Sequence, residues 1–142
     1  MNEPGGDPYA EERYVDLHMH STASDGALPP REVVAAAQRA GLSAIALTDH
    51  DTVDGLAEAQ RAGEEFGVRV VAGIELSAID DGNELHVLGL HLSHPEHLAG
   101  ALTELRETRR ERAKTTVALL NALGVPVTLD AVFLAAGDGA VG

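Results

Sequence analysis

His18 and His20 stand two residues apart in the run Tyr14-Val-Asp-Leu-His-Met-His-Ser. On a strand, residues i and i+2 point to the same face. Two imidazoles on one face of a strand end serve a core badly and start a metal site well. Further donors recur along the chain: Asp25 in Ser24-Asp-Gly, the run Asp49-His50-Asp51, Glu75 in Gly73-Ile-Glu, and His86 between Leu85 and Val87. The chain contains no Cys, which excludes disulfides, thiolate sites and Cys nucleophiles. Nitrogen and carboxylate donors suit Zn, Mn, Fe or Mg rather than softer ions. A divalent ion held there would reverse the local field and admit a phosphate.

The elements that must position these donors can be read from the pattern. Tyr14 to His18 reads as a strand, followed by a loop from Ser21 to Leu28. Pro29-Pro30 opens a helix with Val33, Val34 and Ala37 on its apolar side and Gly41 at its end. Ser43 to Thr48 reads as a buried strand. Thr52 is the expected cap of a helix over Val53 to Phe66, stopped by Gly67, and Arg69 to Ile74 is a third strand. Alternating strands and helices at this spacing predict a parallel sheet. Leu76–Ile79 and Leu85–Leu90 then flank Asp80-Asp81-Gly82-Asn83, a hairpin turn. From Pro95 a long helix runs to Leu123, with Leu98, Leu102, Leu105, Leu119 and Leu123 as its apolar stripe. Thr128 caps a short last helix, Leu129 to Ala136, and the small residues from Gly137 to Gly142 carry no element. In parallel α/β architectures functional groups gather at the carboxyl ends of the strands. His18, His20, His50 and Glu75 all follow strands, so the topology brings them to one rim.

Each donor also has a plain structural reading. Asp25 before Gly suits a turn, and Asp49-His50-Asp51 suits a helix cap. For Asp51 the cap is preferred, while Asp49 is placed behind a ligand as an orienting group. His86 suits the solvent face of a hairpin. Their coincidence at one rim favours the site. His91, His94 and His97 follow no strand end and read as surface loop and helix start. Arg106, Arg109, Arg110, Arg112 and Lys114 alternate with Glu104, Glu107 and Glu111, which reads as a solvated helix face; meeting a phosphate is the other reading.

Composition narrows the class. The 142 residues are 44% hydrophobic and suffice for one core, and no apolar run reaches membrane-span length. The formal charge of −13 and an aromatic content of 3% without Trp argue against a general nucleic-acid surface or a base-stacking platform. Residues 1–13 hold Gly-Gly, two Pro and four acidic residues, and read as a disordered acidic tail without targeting features, which favours the cytoplasm.

Asp16-Leu-His-Met-His-Ser, Ser24-Asp-Gly, Leu47-Thr-Asp-His-Asp-Thr, Gly73-Ile-Glu and Leu85-His-Val-Leu-Gly together resemble the PHP (polymerase and histidinol phosphatase) family. The resemblance runs in order from about Tyr14 to Leu90. It is greatest to the stand-alone phosphoesterases of nucleoside 3′,5′-bisphosphates, AMP-like compounds and 5′ ends of short oligonucleotides. It implies an α/β fold, the N-terminal part of a distorted (β/α)₇ barrel over 14–92, followed by the start of a helical insertion over 93–142. It also implies two or three divalent ions per complete site. His18, His20 and Glu75 would hold one ion and carry catalysis; Glu75 would bridge to a second, bound also by His86; Asp25 and His50 would serve a third. The family's later ligands have no counterpart, since no His follows His97 and Gly139–Gly142 resembles the stretch before a later Arg-Pro-His motif. The chain therefore reads as an N-terminal fragment or truncated product, with an open barrel edge that invites association.

The activity implied is hydrolysis of a small phosphorylated substrate, a nucleotide or short oligonucleotide, by metal-activated water. Ser21 reads as a local hydrogen-bonding residue rather than an attacking group. Two alternatives remain: a non-catalytic metal-binding half-domain, and a histidinol-phosphate phosphatase or polymerase-associated nuclease domain.

Overall fold

The computed structural model describes residues 14–137. The expectations for 1–13 and for the stretch beyond Gly137 lie outside them. Four strands, β1 (Tyr14–Met19), β2 (Leu42–Leu47), β3 (Arg69–Asp80) and β4 (Asn83–Leu90), form one mixed sheet in the order β1-β2-β3-β4. The first three run parallel, with Val15 opposite Ala44 and Leu47 opposite Ala72; β4 returns antiparallel, with Ser77 opposite His86.

Helices α1 (Pro30–Arg39) and α2 (Leu56–Phe66) join the parallel strands and cover one face. Pro30 enters α1 where a missing N–H costs nothing. Val33, Val34 and Ala37 then meet Ile45 and Leu47 of β2 and Leu56, Ala59 and Ala62 of α2 in the main core. The α2–β3 connection is tight. Gly67 ends α2 in the left-handed region at φ 72°, and a Cβ at Gly63 would lie 2.6 Å from the Val68 carbonyl.

Three boundaries differ from expectation. Helix α2 begins at Leu56 rather than Val53, because Thr52 spends its hydroxyl on the Asp54 N–H instead of a helix end. The expected strands Arg69–Ile74 and Leu76–Ile79 are one strand of 12 residues. It exchanges a parallel neighbour for an antiparallel one near Gly73, so the backbone stays paired throughout. A Cβ at Gly73 would lie 2.7 Å from the Thr48 side chain and 2.9 Å from the Leu47 carbonyl. Pro95–Leu98 forms a 3₁₀ turn before α3 (Ala99–Ala122).

The hairpin closes on Asp81 and Gly82, both at positive φ, as a two-residue turn of primed type requires. Leu102, Arg109 and Val117 of α3 are buried, whereas Leu119 and Leu123 of the expected stripe are exposed. Thr128 caps α4 (Leu129–Ala136) by accepting the Ala131 N–H. No helix among the described residues is long and apolar enough to cross a membrane.

Candidate metal centre

The strand ends converge on Glu75. Beyond Leu47 the chain stays alongside β3: the Glu75 N–H donates to the Asp49 carbonyl at 3.2 Å, and the Asp51 N–H donates to the Glu75 carbonyl at 3.0 Å. His50 therefore bridges beside Glu75. The carboxylate, 5% exposed, points into a ring of imidazoles. His18 Nε2 lies 2.8 Å and His20 Nε2 3.1 Å from its Oε2; His50 Nε2 lies 3.6 Å from the same oxygen; His86 Nδ1 lies 2.8 Å from Oε1. Asp25 stands at the outer side, 3.1 Å from His20 Nδ1 and 3.7 Å from His50 Nε2.

Burial of Glu75 pushes its pKa up, but the hydrogen bond from His18 and the neighbouring imidazoles outweigh it and hold the carboxyl below its ordinary value. Burial dominates at His50 and lowers its pKa despite Glu75 and Asp25, keeping the ring neutral and able to ligate.

All six sequence-expected donors are thus brought together. Their ligand atoms form three overlapping groups, each within 4.8 Å: His18, His20 and Glu75; His20, Asp25 and His50; His50, Glu75 and His86. Neutral imidazoles aim either an N–H or a lone pair at Glu75, and a lone pair facing a carboxylate is repelled unless a cation lies between them. The Nδ1 atom of His50 is buried without a hydrogen-bond partner, an arrangement that normally carries a cost. An all-nitrogen-and-oxygen donor set around one buried carboxylate fits divalent ions.

The residues around the donors form a hydrogen-bonded frame. Asp49 accepts the Ser21 N–H at 2.7 Å, the Ser21 hydroxyl at 2.7 Å and the Ser24 hydroxyl at 2.6 Å. It therefore orders the loop that carries Asp25. Ser21 is, as expected, a local hydrogen-bonding residue: it is buried and committed to Asp49 and the Ala23 N–H. Asp51 is not a helix cap. It is fully buried at φ 51° and accepts the Ser77 N–H at 2.8 Å and Arg109 Nε at 2.5 Å. Burial pushes its pKa up, and the Ser77 and Arg109 bonds more than reverse this, leaving it below the ordinary value.

Arg109 in turn is no solvated residue; it is 7% exposed and also reaches the Ser77 hydroxyl. Arg106 and Arg112 pair with Asp54 and Glu84. Sequence reasoning missed the Asp51–Arg109 pair, whose only local signal is a second acid directly after His50. His91, His94 and His97 are exposed and belong to none of the three donor groups.

Comparison with known proteins agrees with this geometry. The PHP domain family model matches residues 16–123. A 5′-3′ exoribonuclease of Haemophilus influenzae is 38% identical over 117 residues, covering 81% of this chain and 42% of the relative. A 3′,5′-nucleoside bisphosphate phosphatase of Chromobacterium violaceum is 41% identical over 117 residues, covering 82% and 41%. The crystal structure of a protein assigned as a metal-dependent phosphoesterase from Bifidobacterium adolescentis superposes with a TM-score of 0.80 at 34% identity, covering 92% of this chain and 46% of that one. The chain thus spans less than half the length of these relatives. With the match running through every segment that carries a donor, the chain belongs to the PHP domain family.

Proposed function

We infer that residues 14–92 hold two or three divalent ions in the site of a PHP phosphoesterase, with residues 93–142 as the start of a helical insertion. The proposed activity is hydrolysis of a phosphoester in a nucleotide or at the 5′ end of a short oligonucleotide. The observation that carries this reading is the buried Glu75 carboxylate, faced on Oε2 by His18 and His20 and on Oε1 by His86. His18, His20, Asp25, His50, Glu75 and His86 would hold the ions. Bound divalent ions supply a lowered water pKa and neutralise charge on phosphoryl oxygens.

The chain's own residues set the conditions for that chemistry. Glu75 stays anionic because the imidazoles outweigh its burial, and its two oxygens face two different donor groups. His50 stays neutral through burial. The Ser21 hydroxyl is committed to Asp49, and the attacking group in the proposed reaction is water. The half-exposed His18 and Asp25 leave the outer side of the cluster open to a phosphate.

A second reading has its own support. Arg106, Arg109 and Arg112 of α3 are each engaged by a carboxylate. This favours a module that takes up ions without turnover. The two readings separate in one assay. The purified chain is incubated with Mn²⁺ or Zn²⁺ and either 3′-phosphoadenosine 5′-phosphate or a short 5′-phosphorylated RNA, beside Glu75→Ala. Phosphate or nucleotide release above the variant's level supports the phosphoesterase; equal, background release from both with metal bound supports the second reading.

A further inference from the structure

His50 differs from the usual metal-binding histidine. Such a ligand normally donates its second ring N–H to a carboxylate or carbonyl that fixes the ring. His50 Nδ1 is buried with no such partner, so its ring is placed by the main chain and by the His20 and His86 rings, whose centroids lie 4.8 Å from its own. That main chain is gripped on both sides. Asp49 is held by Ser21 and Ser24, and Asp51 by Ser77 and Arg109.

Asp51 carries the greater strain. A non-glycine residue at φ 51° is strained and persists only where its surroundings over-determine it. Those surroundings come from elsewhere in the fold. Asp51 Oδ1 accepts the Ser77 N–H, extending the β2–β3 ladder with a side chain after the backbone of β2 has ended. Asp51 Oδ2 accepts Arg109 Nε at 2.5 Å, and the Arg109 guanidinium also bonds the Ser77 hydroxyl. The side chains are 0% and 8% exposed. At that depth, removing one partner leaves the other charge buried and uncompensated.

We propose that Arg109 is a positioning residue that, through Asp51, sets the main chain of His50 for ion binding, so that seating of α3 on β3 and the shape of the ion site are coupled. The proposal rests on the reading of the cluster as a divalent-ion site. The Arg109 guanidinium bonds Asp51 and Ser77.

The test uses the full chain, stripped of metal and titrated with Mn²⁺ alone by calorimetry, at a temperature where circular dichroism shows a folded protein. Arg109→Met and Asp51→Asn are expected to weaken Mn²⁺ binding by about tenfold, the lower end for residues that orient ligands. The double variant should be no weaker than the worse single one, because both act on one path. Arg106→Met, on the same helix but paired with exposed Asp54, should bind as wild type. In metal-free protein the His50 ring ¹H–¹⁵N cross-peaks should shift in Arg109→Met while those of His97 stay, which a helix anchor alone would not cause.

A folded Arg109→Met with wild-type affinity and unmoved His50 signals overturns the proposal. If Arg109→Met does not fold, Arg109→Lys and Asp51→Asn decide; wild-type affinity in both, or loss of folding in both, assigns the pair to the fold alone. His18→Ala separates the two levels. If it binds Mn²⁺ as wild type, the ion-site reading itself fails, whatever Arg109 does to the His50 ring.

Discussion

Removing the Asp49 carboxylate tests how the site is held. Asp49 is 2% exposed and accepts three hydrogen bonds of 2.6–2.7 Å, from the Ser21 N–H, the Ser21 hydroxyl and the Ser24 hydroxyl. Bonds to a charged acceptor contribute about 1.5–3 kcal/mol each, and a buried donor left unsatisfied costs about 1–3 kcal/mol. The two hydroxyls can turn toward other acceptors, but the Ser21 N–H cannot. Asp49→Ala is therefore expected to lose about 3 kcal/mol, a large part of a total stability that is typically about 5–15 kcal/mol. At roughly 4 °C per kcal/mol for a chain of this size, the melting temperature should fall by about 12 °C. Asp49→Asn keeps an oxygen for the Ser21 N–H and Ser24 hydroxyl, so its loss should be near about 1 kcal/mol. The assay is thermal unfolding of metal-free protein followed by far-ultraviolet circular dichroism, paired with Mn²⁺ titration. Because the Ser21–Asp25 loop carries Asp25, Asp49→Ala should also weaken Mn²⁺ binding. A melting temperature within about 2 °C of wild type would refute the argument that this carboxylate holds the loop.

Three other outcomes follow from the same geometry. Gly26→Ala would place a Cβ 2.4 Å from the His20 carbonyl oxygen; backbone must move, so both melting temperature and Mn²⁺ affinity should fall, read by the same two assays. Leu47→Ala, at a fully buried position in the main core, should cost about 2–5 kcal/mol in urea unfolding while leaving the donor set chemically intact. Mn²⁺ at about 100 times its dissociation constant should stabilise the wild type by about 2.7 kcal/mol in thermal unfolding. Chelation by EDTA should reverse that gain, and Glu75→Gln should not show it.

Much of this fold was legible locally. Pro30, Gly67 and the Asp81-Gly82 turn mark boundaries by their own backbone preferences, and the structure places those boundaries there. The apolar runs of β2 and β3 and the Val33, Val34, Ala37 face announce the core they form. Convergence of His18, His20 and His50 was also foreseeable, because strand ends in a parallel sheet share one rim. What was hidden depends on partners distant in sequence. Glu75 lies inside β3 rather than at its end, since nothing local signals a strand that changes from a parallel to an antiparallel neighbour. Arg109 sits among acidic neighbours that suggest a solvated face, and its buried partner is 58 residues away. Leu119 and Leu123 follow the helical period of an apolar stripe yet stay exposed, because the described residues cover little of them.

Metal content tests the central claim most directly. The chain, its Glu75→Ala and His18→Ala variants and a His97→Ala control would be saturated with Mn²⁺, freed of excess by gel filtration and analysed by mass spectrometry for bound metal per chain. Wild type and His97→Ala should retain Mn²⁺ alike, while Glu75→Ala and His18→Ala, whose residues share the 2.8 Å contact at the centre of the cluster, should retain much less. Equal retention by all four proteins, or none by the folded wild type, would contradict the account.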